Sequence, residues 1–411
     1  MFDFPEMQLL SICIQMGLYG KRGQPALVQG APGTGKTQVI SQVAEALEII
    51  MNHGVKKDSP EYRKMPCEII AVPQRMPEEF GGIPVPNKEE GTVDCLPMRV
   101  GKDLITAGRG IMVFDEYSSA PQATGSACMT IIQDGRLANV TLPHAVARVL
   151  LMNQASCAAN GRLLTAPESN RMCWINWNPP LEAWQDYMRG GKGIVANCLL
   201  LPNDWEEQYG KSSKNLIVAF SRVYRDLFEG DKHVPKPQNA SQAWPSLRSW
   251  ENAARLLAAV QACGHNYTSD LASLAVKGCV GDGAEEAFMV WARELCLPNP
   301  EDGLKDPKAA LPVYAGLRED QLGIALESLA TAACIKTPPM EKKEKRTAKD
   351  VREERWLNAW EIIGVSLKSS PDQALWAAQT LAKELGDMKH LKEAVDLRAN
   401  IGALLKSIGA Y

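Results

Sequence analysis

Eight consecutive residues, Gly30-Ala31-Pro32-Gly33-Thr34-Gly35-Lys36-Thr37, constrain this chain more than any others. They fit the pattern G-x-x-x-x-G-K-[ST], and their surroundings give the pattern meaning. A short apolar run, Ala26-Leu27-Val28-Gln29, leads in and reads as a buried strand. Val39, Ile40, Val43, Ala44, Leu47 and Ile50 follow at helical spacing. A glycine loop between strand and helix lets backbone N–H groups turn inward around an anion, and the helix aims its positive end at the same point. Lys36 is placed to neutralise β- and γ-phosphates, and the Thr37 hydroxyl to ligate magnesium. Gln38, the next helical residue, belongs to the same cradle. The expected ligand is a nucleoside triphosphate with Mg2+.

A phosphate cradle alone does not say whether the bound nucleotide is hydrolysed. Asp115-Glu116 follows a continuous apolar run, Ile111-Met112-Val113-Phe114, of the kind buried on both faces of a parallel sheet. At the C-terminal end of such a strand, Asp115 is expected to hold the magnesium and Glu116 to polarise an attacking water. A helix N-cap with a first-turn acid would give the same two letters. The glutamate separates hydrolases from P-loop kinases, which pass phosphate to a bound acceptor.

Three further polar residues are candidates by position. Asn153 ends the apolar run Arg148–Met152, where it either helps place a water or closes a strand-ending turn. Arg171 precedes the apolar segment Met172–Trp177, and Arg248 opens a helical pattern in Trp244-Pro245-Ser246-Leu247-Arg248-Ser249-Trp250. For either arginine a surface ion pair is the plain alternative.

The apolar runs around residues 26, 68, 111, 148 and 172 alternate with helical patterns, which predicts an α/β sheet with right-handed crossovers. A proline- and glycine-rich stretch from Pro73 to Pro97 reads as a loop, and Leu137 to Pro143 as either an ordinary surface connection or a hairpin arm. After about Leu200 every periodic segment looks helical, up to Ser407. The expected division is an α/β nucleotide-binding core over 1–200, a helical lid over 201–310 and a C-terminal helical extension over 311–411. Glu341 to Glu354 is dense in charge and reads as a linker or a solvated helix face.

Composition narrows the setting. A net charge of -3 provides no global basic field for nucleic acid or anionic lipid. The 11 cysteines are scattered without zinc spacing, and Met1 to Glu6 does not read as a signal sequence. A reduced, cytoplasmic protein with no membrane span is expected.

The order of these pieces resembles the AAA+ ATPases, and within them the MoxR-type branch. Gly30–Thr37, Phe80-Gly81-Gly82-Ile83-Pro84-Val85-Pro86, Phe114-Asp115-Glu116-Tyr117-Ser118-Ser119-Ala120-Pro121, Ser169-Asn170-Arg171-Met172 and Trp244–Glu251 carry the likeness. It covers roughly residues 5 to 300. The resemblance implies ATP as the nucleotide, Asn153 as the sensor 1 residue and Arg248 as the sensor 2 arginine. Arg171 would be an arginine finger serving a neighbouring subunit, with Arg162 as a competitor nine positions earlier. It further implies a ring, usually a hexamer, that remodels or assembles a protein client, often beside a partner with a von Willebrand factor A domain. The hairpin arm and the loop Gly81–Pro97 are candidates to face that client. A nucleic-acid motor or loader is the alternative, against which the near-neutral charge and the lack of a basic-aromatic stretch argue. The chain departs from many relatives in reading Asn153-Gln154 where they read Asn-Pro.

Overall fold

The computed structural model describes residues 4–18, 21–97, 99–154, 161–190, 200–295, 297–334 and 347–383. The chain divides into two compact units, each discontinuous in sequence. One comprises Met1–Gly210 with Asp226–Met289, the other Lys211–Arg225 with Val290–Tyr411. Among the described residues no helix is long and apolar enough to cross a membrane.

The strands are β1 (Ala26–Gly30), β2 (Cys67–Ala71), β3 (Ile83–Asn87), β4 (Thr92–Leu96), β5 (Gly110–Asp115), β6 (Arg136–Leu137), β7 (Val140–Thr141), β8 (Val146–Asn153) and β9 (Cys173–Asn176). Five of them form the sheet of the first unit, in the order β2-β5-β8-β1-β9. All four pairings are parallel. The central strands are mostly apolar because both faces are covered: every residue of β5 is buried but its last, and the same holds for β8, which also buries Arg148. The last residues are Asp115 and Asn153, so polar side chains surface where each strand leaves the core.

Leu27, Phe114, Leu150 and Trp174 on the sheet pack with Ile131 and Ile132 of the helix Gln122–Asp134 and with Tyr117 in one core. A five-stranded parallel α/β core with flanking helices, and a C-terminal part built of helices, is the fold class that the sequence leads one to expect. The second unit has its own core, in which Leu326 and Leu329 meet Trp356, Ile362 and Leu381. Its helices include Glu319–Ala333, Ala348–Ser369 and Pro371–Lys383. The charge-dense stretch lies outside the described residues up to 346; from Ala348 on it is helix, capped by the Thr347 hydroxyl. The helices expected beyond 383 also lie outside them.

The stretch Pro73–Pro97 is not the loop its prolines and glycines predict. It holds a short helix, Pro77–Gly81, and an antiparallel hairpin in which Ile83 faces Leu96 and Pro86 faces Val93. A two-stranded ribbon has a free edge on each strand, and there proline's missing N–H costs no ladder bond. Its apolar side chains Ile83, Val93 and Leu96 are exposed. The hairpin expected at Leu137–Pro143 is present as β6 and β7. Gly82 and Ala138 pack against each other, so the two hairpins meet.

Candidate active site

The sheet order brings together side chains far apart in sequence. Gly30, the last residue of β1, pairs in register with Asn153, the last of β8. On its other side β8 pairs with β5, which ends in Asp115. The ends of three adjacent parallel strands therefore lie side by side, at the sheet edge where open α/β folds bind ligands.

Within the glycine loop, Gly33 and Gly35 both have φ of 78°. Nothing would obstruct a Cβ at either position, so the requirement for glycine there is conformational. At Gly30 the reason is space: a Cβ would fall 2.5 Å from the Trp177 carbonyl oxygen. The helix Lys36–Met51 starts directly after Gly35, with no acid in its first turn. Its first N–H groups have no intrahelical acceptor and are available to an anion.

The ammonium of Lys36 is buried and fully engaged. It donates to the carbonyl oxygens of Gly30 at 3.0 Å and Ala31 at 2.7 Å, and to Asn153 Oδ1 at 3.0 Å. The Thr37 hydroxyl donates to Asp115 Oδ2 at 3.1 Å. Lys36, Thr37, Asp115 and Asn153 thus converge, and Gln38 is exposed next to them. Thr37 and Asp115 present a hydroxyl and a carboxylate, hard oxygen donors that suit Mg2+. Among the described residues no group of three His, Cys, Asp or Glu could hold a metal ion. A magnesium site completed by phosphate oxygens needs no such cage.

Glu116 follows at the exposed rim in the left-handed region, with φ of 54°. The Asp115 Oδ1 accepts its N–H at 2.8 Å, tying the two acids into one turn. A non-glycine residue held there carries about 1–3 kcal/mol of strain, a cost that persists where surrounding contacts over-determine the backbone. Here the turn points the Glu116 side chain away from the core that takes Phe114 and Tyr117.

The arginines separate. Arg162 is clamped inside its own chain: its guanidinium donates to both carboxylate oxygens of Glu168, at 2.9 and 3.1 Å, and lies over the Tyr117 ring. Burial pushes the Glu168 carboxyl up, but hydrogen bonds from Arg162 and from the Thr165 N–H outweigh it and leave its pKa below the usual range. Arg171 donates within its own turn, to the Pro167 carbonyl at 3.2 Å. Arg248 is exposed near the start of the helix Leu247–Ala262. Among the described residues neither Arg171 nor Arg248 forms an ion pair, and neither hydrogen-bonds to the glycine loop.

Sequence reasoning missed Trp177. Its indole N–H donates to the Thr34 carbonyl at 3.0 Å, and its backbone N–H to Gln29 at 2.6 Å. The Phe4 ring packs on it at 5.1 Å. Trp177 therefore braces the glycine loop from β9's end. The only sequence signal was a tryptophan just past a strand that neighbours the loop strand.

No family model matches the chain, and no curated protein matches it. Among solved structures, that of a "putative ATPase" from Cytophaga hutchinsonii aligns with 62% of this chain and 74% of that one, at 16% identity and a TM-score of 0.39. A likeness that low supports neither a family nor an activity, and both rest on the residues above.

Proposed function

We propose that the chain is an AAA+ ATPase of MoxR type that couples ATP hydrolysis to remodelling or assembly of a protein client. One observation carries this reading: Lys36 and Thr37, from the helix that the glycine loop opens, converge with Asp115 and Asn153, from the ends of adjacent strands. Phosphate oxygens take the place of the Gly30 and Ala31 carbonyls on Lys36, and loop N–H groups bind the rest of the triphosphate. Thr37 and Asp115 hold Mg2+, which when bound neutralises charge developing on the phosphates. Glu116 accepts a proton from the attacking water, and Asn153 orients that water.

Arg171 is the finger in this account. Among the described residues its guanidinium hydrogen-bonds to its own turn, whereas Arg162 is committed to Glu168. It serves a second subunit, and Arg248 reads the nucleotide in its own. The working form is then a homo-oligomeric ring, a hexamer in the MoxR-type pattern, in the cytoplasm. Residues 1–200 act as the core, 201–310 as lid and 311–411 as a helical extension. A protein with a von Willebrand factor A domain is the partner class the resemblance implies.

The test is the particle mass of Glu116→Gln with ATP and magnesium against the same protein with ADP. A discrete ring with ATP is expected. A monomer under both conditions would overturn the shared-site part of the reading.

A further inference from the structure

The groups assigned above to the chain's own site and to its neighbour's are joined by two sets of buried and part-buried hydrogen bonds that meet at the short helix Ala166–Ser169. The first half starts beside Glu116. The next residue, Tyr117, is fully buried, and its hydroxyl lies 2.9 Å from the Gly125 carbonyl and 3.0 Å from Glu168 Oε1. Arg162 pairs with the same carboxylate, and its backbone N–H donates to the Ser118 carbonyl at 2.8 Å. Glu168 also accepts from the N–H and the hydroxyl of Thr165, at 2.8 and 2.9 Å, so its short helix, Ala166–Ser169, is fixed against the end of β5.

The second half starts beside Arg171. Asn170, only 5% exposed, uses both ends of its amide. Its Nδ2 donates to the Trp244 carbonyl at 3.1 Å, and its Oδ1 accepts from the Ser246 hydroxyl at 2.8 Å. Ser246 caps the helix that carries Arg248: its oxygen accepts the Ser249 N–H at 3.2 Å. The Trp244 indole donates back to Ala166 at 3.0 Å, and the Ser169 hydroxyl donates to Ala240. One serine hydroxyl thus holds the helix start and the residue next to Arg171 at once. A shift of that helix start cannot leave Asn170 in place without breaking the hydrogen bond from Ser246, on an asparagine that is itself buried, which is costly.

We propose that Asn170 is a positioning residue that sets Arg171 against the Arg248 helix, so that the nucleotide state sensed in one subunit governs the arginine presented to the next. This rests on the reading of Arg171 as a finger and Arg248 as a sensor. Asn170 touches no substrate; it acts through Arg171, and a misplacement of about 1 Å at a reacting group is worth on the order of 100-fold in rate.

Asn170→Ala and Ser246→Asp test it. The second keeps a capping oxygen for Ser249 but replaces the donor to Asn170 with an acceptor carboxylate, which repels the Asn170 Oδ1, so it stands in if the first fails to fold. Each variant alone is expected to bind ATP with unchanged affinity and to turn over roughly 100-fold slower. Mixed with Lys36→Ala subunits, which lend an intact arginine, each is expected to recover activity; mixed with Arg171→Ala subunits, neither recovers. A merely structural role would slow both mixtures alike and lower the melting temperature. The control is Arg171→Ala with Lys36→Ala. If the control recovers and the Asn170 and Ser246 variants do not, the coupling is wrong and the shared site stands. If the control itself fails to recover at any ratio, the shared-site reading beneath it falls.

Discussion

Lys36 Nζ lies 3.0 Å from Asn153 Oδ1, across 117 residues of sequence. The contact exists because β1 and β8 run parallel with Gly30 opposite Asn153, so the loop lysine and the strand-ending amide share one corner of the sheet edge. The lysine is expected to act in binding and the asparagine in turnover. Lys36→Ala should weaken ATP binding on the order of 100-fold, the worth of a charged hydrogen-bonding group at a phosphate. Asn153→Ala should bind ATP nearly as wild type yet hydrolyse it about 100-fold more slowly, as when one aligned polar group is removed from a reacting centre. Titration calorimetry and steady-state turnover on both variants check the division; equal losses of affinity in the two would contradict it.

Trp177 braces the loop through a single indole hydrogen bond to Thr34. Trp177→Phe keeps an aromatic ring, smaller than the indole, to pack on Phe4 and removes that donor. A neutral hydrogen bond is worth about 0.5–1.5 kcal/mol, so ATP affinity should fall by roughly 2- to 10-fold with little change in melting temperature. Unchanged affinity would mean that the loop holds its shape without the indole.

The Arg162–Glu168 pair sets a pH dependence of stability. Burial raises the Glu168 carboxyl, the Arg162 and Thr165 hydrogen bonds lower it further, and the net shift is downward. A carboxylate depressed in the folded state contributes stability above its unfolded pKa of about 4.3, and that contribution disappears as pH falls through the folded value. Glu168→Gln should therefore cost about 3 kcal/mol near pH 7, with Arg162 left buried and unpaired. The gap to wild type should narrow below about pH 4. Denaturant melts across that range check it; a gap independent of pH would show that the ion pair contributes nothing.

What could be read from the residues alone follows a physical pattern. Local chemistry was legible: the glycine loop, the apolar strands that end in Asp115 and Asn153, and the hairpin at Leu137–Pro143 all depend on neighbours in sequence. The hairpin Ile83–Leu96 was misread as loop because prolines exclude a strand only where the strand has partners on both sides, and sequence does not report the edge. Trp177 and Asn170 were not legible because their partners, Thr34 and Ser246, lie 143 and 76 residues away. Arg162 and Arg171 looked alike as letters; only the carboxylate of Glu168, folded against one of them, tells them apart.

In the proposed reaction ATP is hydrolysed at the Gly30–Thr37 loop with Glu116 as the base. The most direct test measures ATP affinity and ATP turnover together for Glu116→Gln and wild type. Equal affinity is expected, with turnover lowered by about 100-fold or more, as when a positioned general base is lost. Hydrolysis at the wild-type rate by the glutamine variant would contradict it.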